Sequence, residues 1–178
     1  PFSSSSFRQL LKTLFDKFGF PSLNSLKTPI STKESAIENL VNGYNDSAEN
    51  KLVFVEDFVV SSKDSGHYRT EFRLSAYNEA VGKSYKLGNQ NVDIISTQSR
   101  FGDIDIRIYS DGATLDQCKD LIRYSSQILD STMTDATVRE AIDYISEKKE
   151  ANGYYYGKLG LLLIGSEVKG YDLMIKTD

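Results

Sequence analysis

The sequence predicts an α+β fold in which helices pack on a mostly antiparallel sheet built from hairpins. Segments of strand-like apolar residues come in neighbouring pairs joined by short turn-like stretches, which is typical of hairpins. The helical segments are flanked by these pairs and do not alternate singly with strands, which argues against a parallel sheet. We expect one domain over residues 26–178, with two or three helices, preceded by an amphipathic helix and linker over residues 1–25.

The chain is long enough to build one hydrophobic core. Its 178 residues are 39% hydrophobic, and 11 Tyr and 9 Phe supply large packing groups in the absence of Trp. A chain of this length buries roughly two thirds of the surface that its unfolded state exposes. Intrinsic disorder is therefore not expected.

The start of the chain predicts an amphipathic helix. Ser6 is its natural N-cap, and Gly19 and Pro21 supply its end. Apolar residues at helical spacing form one face and cations form the other, and the residues that we assign to docking are Phe7, Arg8, Leu11, Lys12, Leu14, Phe15, Lys17 and Phe18. Residues 1–30 carry four Lys or Arg and one Asp, in a chain of net charge −4. Such a helix suits an anionic membrane surface, but it could also pack on its own domain or enter a groove of a partner protein.

Residues 31–76 predict a short helix and a hairpin. Ser31 and Glu34 have capping-box spacing, and Gly43 is expected to end the helix, with a polar loop over 42–50. The segment 52–60 is dense in Val and Phe, and 68–76 alternates between apolar and polar residues. These two segments are expected to pair through a turn at 63–66.

A second strand pair is predicted at 92–97 and 104–109. Ile104, Ile106 and Ile108 alternate with charged residues, so we expect a sheet with one wet face. Asp111-Gly112 is expected to end the second of these strands.

Two helices and a terminal hairpin complete the prediction. Thr114 is expected to cap the first helix, whose buried stripe comprises Leu115, Cys118, Leu121, Ile122, Ile128 and Leu129. The second helix is expected to begin at Thr137 and to end at Asn152-Gly153, with Val138, Ala141, Ile142 and Ile145 buried. One strand over 154–164 and another over 171–175 are expected to form a hairpin around the turn 165–170.

Composition excludes several classes of function. Cys118 and His67 are the only cysteine and histidine, so the chain cannot form an internal disulfide or supply a zinc site from several Cys and His ligands. Cys118 is expected in the core and His67 in a solvated turn, which argues against a catalytic dyad. We expect no enzyme activity, no metal and no cofactor. The net negative charge argues against a globally basic nucleic-acid binder, and direct nucleic-acid contact stays open.

The sequence predicts neither a membrane span nor a secretory signal. No apolar run approaches the roughly 18 to 20 residues that a span requires, and residues 1–20 lack the continuous apolar centre of a signal peptide.

Two groups of polar residues suggest cation chemistry that their contexts do not favour. Glu167 and Lys169 have the Glu-x-Lys spacing of half a nuclease metal site, but they fall in an expected turn and no acidic residue lies between Glu150 and Glu167. Asp103, Asp105 and Asp111 could bind a hard cation, but the first two alternate with isoleucines on a strand. A solvated face explains them.

Three segments resemble the matrix proteins of rhabdoviruses. GDIDIRIYSDGATLDQCKDLIRYSS (102–126) resembles a strand, acidic turn and helix near the end of those proteins, and LGLLLIGSEVKGYDLMIKT (159–177) resembles their closing hairpin. SSFRQLLKTLFDKFG (5–19) is similar in character to their membrane-active start. The resemblance covers about a third of the chain. The Pro-Pro-x-Tyr budding motif and the long helix after the first strand are not found, which favours a plant- or insect-virus relative.

The resemblance implies a viral structural protein of the virion and the host cytoplasm. Such a protein self-associates beneath the envelope, touches an anionic membrane peripherally through its N-terminal face, and condenses the nucleocapsid by binding the viral nucleocapsid protein. Two alternatives remain, which are a soluble interaction module of host or phage origin and a metal-dependent nuclease that uses Glu167 and Lys169.

Overall fold

The computed structural model describes residues 32–58, 77–99, 103–147 and 152–177, which belong to one compact unit that starts at Thr32. Within them lie three helices, α1 (Lys33–Ser47), α2 (Leu115–Leu129) and α3 (Asp135–Glu147). The seven strands are β1 (Leu52–Phe58), β2 (Tyr77–Leu87), β3 (Gln90–Ser99), β4 (Ile104–Ala113), β5 (Asn152–Tyr156), β6 (Leu159–Ser166) and β7 (Gly170–Thr177). The predicted α+β fold is confirmed.

The seven strands form one antiparallel sheet in the order β1-β2-β3-β4-β7-β6-β5. Strands β1 to β4 follow one another as a meander, and β5 to β7 form a second meander. The two meanders meet where β4 pairs with β7, and α2 and α3 lie in the connection between them. Residues that are far apart in the sequence therefore meet at the centre of the sheet.

The main core lies between the three helices and one face of the sheet. Cross-strand partners share a face, and the partners Ile94, Ile108, Ile175 and Leu161 are all buried there. The helices contribute buried residues at helical spacing, among them Leu40, Leu121, Ile122, Ala141 and Ile145. These residues form a single contiguous cluster.

The opposite face of the sheet is not uniformly wet, so that prediction was wrong. Ile95 and Tyr109 on that face are buried and form a second cluster, against which Phe58, Ala80 and Met174 pack. Gly82 makes room for the Phe58 ring, because a Cβ at Gly82 would lie 2.4 Å from a ring carbon. Glycine thus allows an aromatic ring to cover this face.

Helix α1 begins one residue later and continues further than predicted. The N-cap is Thr32, not Ser31, and its Oγ1 accepts a hydrogen bond from the Ser35 N–H at 3.1 Å. Gly43 does not end the helix. It lies in the last turns, facing the Ile128 side chain, and the helix runs on to Ser47 because Tyr44 is buried in the core beyond it.

Strand β2 was not predicted, and the predicted segment 68–76 and turn 63–66 lie outside the described residues. β2 pairs with β3 along its whole length and with β1 through its second half. A two-residue turn, Gly88-Asn89, joins β2 to β3, with Gly88 at a positive φ of 62°.

The C-terminal strands form a meander of three, not a hairpin of two. The predicted strand 154–164 folds back on itself at Gly157-Lys158, where Gly157 has a φ of 55°. Asn152 and Gly153 belong to β5, and α3 as described ends at Glu147.

Helix α3 begins at Asp135, because the Thr134 hydroxyl accepts the Thr137 N–H at 3.2 Å. Similarly, β4 does not end at Asp111-Gly112 but passes through an irregularity there.

Helix α2 begins at the predicted cap. The Thr114 Oγ1 accepts the Gln117 N–H at 3.2 Å, and the Gln117 Oε1 accepts the Thr114 N–H at 2.9 Å. Cys118, Leu121 and Ile122 are buried as predicted, but Ile128 is 39% exposed. Burial, with a smaller contribution from the carboxylate of Asp172, raises the pKa of Cys118 to about 12.

The carboxylate of Asp130 ties the end of α2 to the β5–β6 turn. It accepts hydrogen bonds from the Thr132 N–H at 2.9 Å, the Thr132 hydroxyl at 2.6 Å and the Lys158 N–H at 3.3 Å. Gly157 is required beside it, because a Cβ there would lie 2.5 Å from the Asp130 Oδ2. The Thr132 hydroxyl, followed by the Thr132 N–H, lowers the pKa of Asp130 below its usual value.

We predict that Cys118 reacts with a thiol reagent only when the protein unfolds, since the side chain is buried and its thiol is protonated at neutral pH. Cys118→Ala should lower the free energy of unfolding by about 1 kcal/mol because a packed sulfur is lost. Labelling by a coloured disulfide reagent, with and without denaturant, measures the first effect. Fast labelling of the native protein would contradict the buried placement.

We predict that Asp130→Asn destabilises the protein at pH 7 and that the difference disappears in acid. A carboxylate whose folded pKa lies below its unfolded value of about 3.9 stabilises the fold fully above that value, and the stabilisation is lost as the pH falls through the folded pKa. Urea unfolding at pH 7 and at a series of lower pH values, down to about pH 2, follows the loss of the difference. Asp143→Asn, at an exposed position of α3, is the matched control and should have little effect.

Candidate interaction surfaces

The residues that the sequence assigned to docking, Phe7 to Phe18, lie outside the described residues, as does His67. The two candidate surfaces of the described residues were therefore not predicted from the sequence. They are a cleft in the helical layer and an apolar stretch of an edge strand.

The residues suggested for metal chemistry do not come together in the described part of the chain. Glu167 and Lys169 are exposed in the turn between β6 and β7, and the Lys169 N–H donates to the Ser166 hydroxyl at 3.4 Å. Asp103 and Asp111 are exposed at opposite ends of β4. Across the described ranges, no group of three His, Cys, Asp or Glu side chains is placed to hold a metal ion.

A cleft of about 530 Å³ opens on the outside of the helical layer, and we call it the helix cleft. It lies between the end of α1, the second half of α2 and the start of α3. Its lining residues are Ser47, Arg123, Tyr124, Gln127, Ile128, Asp135, Val138 and Arg139. The volume falls in the range of small-ligand and peptide-anchor pockets.

Hydrogen bonds between and within the helices shape the helix cleft. The Gln127 Nε2 donates to the Asp135 Oδ1 at 2.8 Å and so links α2 to α3. The Arg139 Nε donates to the Asp135 carbonyl oxygen at 3.2 Å. The Arg123 guanidinium pairs with Asp120 at 3.2 Å. Both guanidinium groups are thereby oriented at the cleft.

The cleft has an aromatic and aliphatic side and a rim that carries Arg123, Arg139 and Asp135. The ring of Tyr124 packs edge to face on Tyr44, with centroids 5.7 Å apart, and the Arg123 guanidinium lies 6.0 Å from the Tyr124 centroid. Burial, with smaller contributions from Asp120 and Tyr124, raises the pKa of Tyr44, so its ring is neutral at physiological pH. Apolar side chains framed by guanidinium donors suit a peptide that carries both an apolar group and a carboxylate.

The second surface is the stretch Val53-Phe54-Val55 of β1, which we call the β1 edge. Of the described strands, β1 is the outermost on one side of the sheet, and these side chains are 61%, 52% and 49% exposed. From sequence, the segment predicts an ordinary strand because it is dense in Val and Phe. Exposed apolar side chains on an edge strand are a recognised site of strand-to-strand association.

The backbone of the β1 edge is held in place by its neighbours on β2. The Phe54 ring packs edge to face on Tyr85, with centroids 5.8 Å apart, and the Lys83 Nζ lies 5.5 Å from the Phe54 centroid. Lys83 also binds Asp57 at 2.6 Å. The pairing with β2 shifts register between Phe54 and Glu56, so Val55 occupies a β-bulge.

The helical layer is acidic. The three helices contain nine acidic and four basic residues, whereas residues 1–30 carry a net charge of +3. An acidic layer repels anionic lipid and nucleic-acid phosphate. Attraction to either would have to come from elsewhere in the chain.

Among the described residues, no helix is both long enough and apolar enough to cross a membrane. Comparison of the chain with protein-family models, with curated proteins and with solved structures found no match.

Proposed function

We propose that the chain is a viral matrix-type structural protein that self-associates, contacts an anionic membrane peripherally and condenses the nucleocapsid in the virion and host cytoplasm. The observation that carries the proposal is the β1 edge, where three successive apolar side chains are about half exposed. A monomeric protein gains nothing from such an edge and risks aggregation, whereas a protein that assembles uses it.

The distribution of charge supports a membrane contact through the N-terminal residues. The helical layer is acidic, and the cations Arg8, Lys12 and Lys17 are concentrated near the start of the chain beside apolar residues at helical spacing. Attraction to anionic lipid and burial of apolar side chains at the lipid boundary act together in such a segment.

A second candidate function is that of an interaction module without membrane contact, and the helix cleft favours it. The cleft combines Tyr124 and Ile128 with two guanidinium groups. In the proposed matrix-type protein the same cleft is a place for a segment of the nucleocapsid protein, so the two functions differ in the membrane step. A nuclease is not favoured by the exposed turn that holds Glu167 and Lys169.

We predict that the protein floats with vesicles that contain phosphatidylserine and does not float with neutral phosphatidylcholine vesicles. Replacing Arg8, Lys12 and Lys17 by Glu should abolish flotation, since each cation near the surface contributes roughly 1 kcal/mol. The matched control replaces Lys119, Lys158 and Lys169 by Glu, which changes the net charge equally on the described domain. An interaction module without membrane contact would stay at the bottom of both gradients.

A further inference from the structure

The β1 edge is available to a second strand. In the sheet of the described residues β1 pairs with β2 alone, and no described strand binds the backbone donors and acceptors on its other side. The side chains of Val53 and Phe54 project to opposite faces, since their partners on β2 are the successive residues Lys86 and Tyr85. A strand that paired here would cover apolar side chains on both faces of the sheet.

We propose that the occupant is β1 of a second copy, paired antiparallel about a two-fold axis centred on Phe54. The two seven-stranded sheets then become one continuous sheet. A two-fold axis between antiparallel neighbours stands perpendicular to the sheet, so the helices of both copies lie on the same side. This inference rests on the self-association in the proposed function and names the surface that performs it.

The direction of the strands favours the two-fold pairing over head-to-tail assembly. Neighbouring strands alternate in direction across seven strands, so the two outermost strands, β1 and β5, run the same way. Copies related by translation would therefore join β1 to β5 in parallel. The two-fold pairing is antiparallel, like all six strand pairs in the sheet, and it closes as a dimer.

The side chains of β1 complement themselves in this pairing. With Phe54 at the axis, Val53 lies opposite Val55 of the second copy, so exposed apolar side chains cover one another. Glu56 and Asp57 of the two copies lie at opposite ends of the pairing, where their negative charges are kept apart.

The first test is a pair of charge substitutions that the two-fold register brings together. Val53→Lys and Val55→Glu each place a charge opposite an apolar side chain, twice per dimer, and should each raise the dimer dissociation constant by at least about tenfold. The double variant places the two new charges opposite each other and should restore dimerisation. Sedimentation velocity over a range of concentrations measures the constant. Both positions are about half exposed, and thermal unfolding of each variant checks that the domain is intact.

Val168→Lys is the matched control, since it makes the same substitution at a 96% exposed position on the β6–β7 turn. It should leave the dissociation constant unchanged. Three results would overturn the inference. They are a wild-type protein that stays monomeric at all concentrations, an unchanged constant for Val53→Lys, and a double variant as weak as the single ones.

A second test uses chemical crosslinking at the axis. Phe54→Cys places a thiol opposite its own copy, so a short bismaleimide should yield a covalent dimer, and the buried Cys118 should contribute no background. Tyr155→Cys, at the exposed edge strand β5, should yield much less. Equal or greater crosslinking at Tyr155→Cys would point to a different interface.

These results separate the inference from the proposed function. Assemblies that form, float with anionic vesicles and ignore Val53→Lys would overturn the β1 pairing and leave the matrix-type function in place. A dimer that is rescued by the double variant but never binds vesicles would support the pairing and remove the membrane step.

Discussion

The antiparallel pairing of β4 with β7 is the interaction on which the rest of the fold depends. It brings Ile108 opposite Ile175 and so joins two meanders that are far apart in the chain. The helices α2 and α3 lie in the connection between these meanders and can cover the sheet only when the two strands are adjacent. The contact closes a long loop, so its entropic cost must be offset by burial of the central isoleucines and of the helical residues above them.

Much of the fold follows from local patterns in the sequence. The alternation of Ile104, Ile106 and Ile108 predicted β4, and the cap at Thr114 with apolar residues at helical spacing predicted α2. The turn Gly88-Asn89 is the local sequence signal that marks the end of β2. The local sequence does not determine whether a glycine ends a helix or lies within it. Gly43 lies inside α1, where contact with Ile128 on α2 stabilises a helix that local preference alone would end, and no local pattern contains that contact.

The candidate surfaces were harder to predict because they depend on the order of strands and the packing of helices. Val53 and Phe54 have the composition of a core strand, and only the sheet order places them at an outer edge. The bulge at Val55 changes which later residues share a face with Phe54, and nothing in the local sequence marks it. The helix cleft likewise exists because Gln127 and Asp135 hold α2 and α3 together at their near ends. The N-terminal docking residues, in contrast, were assigned from sequence and remain a prediction.

An apolar edge strand is a hazard unless its pairing is restricted, and β1 has two features that restrict it. The bulge at Val55 interrupts the flat stretch that indiscriminate strand addition requires. Glu56 and Asp57 then place negative charge at one end, so a strand laid in parallel register would meet like charges. An antiparallel copy of β1 instead places the Glu56 and Asp57 side chains of the two copies at opposite ends of the pairing, and its own bulge falls beside Val53. The features that discourage aggregation are thus compatible with one partner of matching sequence, and each chain has a single β1 edge to offer it. Larger assemblies would then require a different surface, because the two-fold pairing uses both copies of the β1 edge and leaves the two β5 strands at the outside of the dimer.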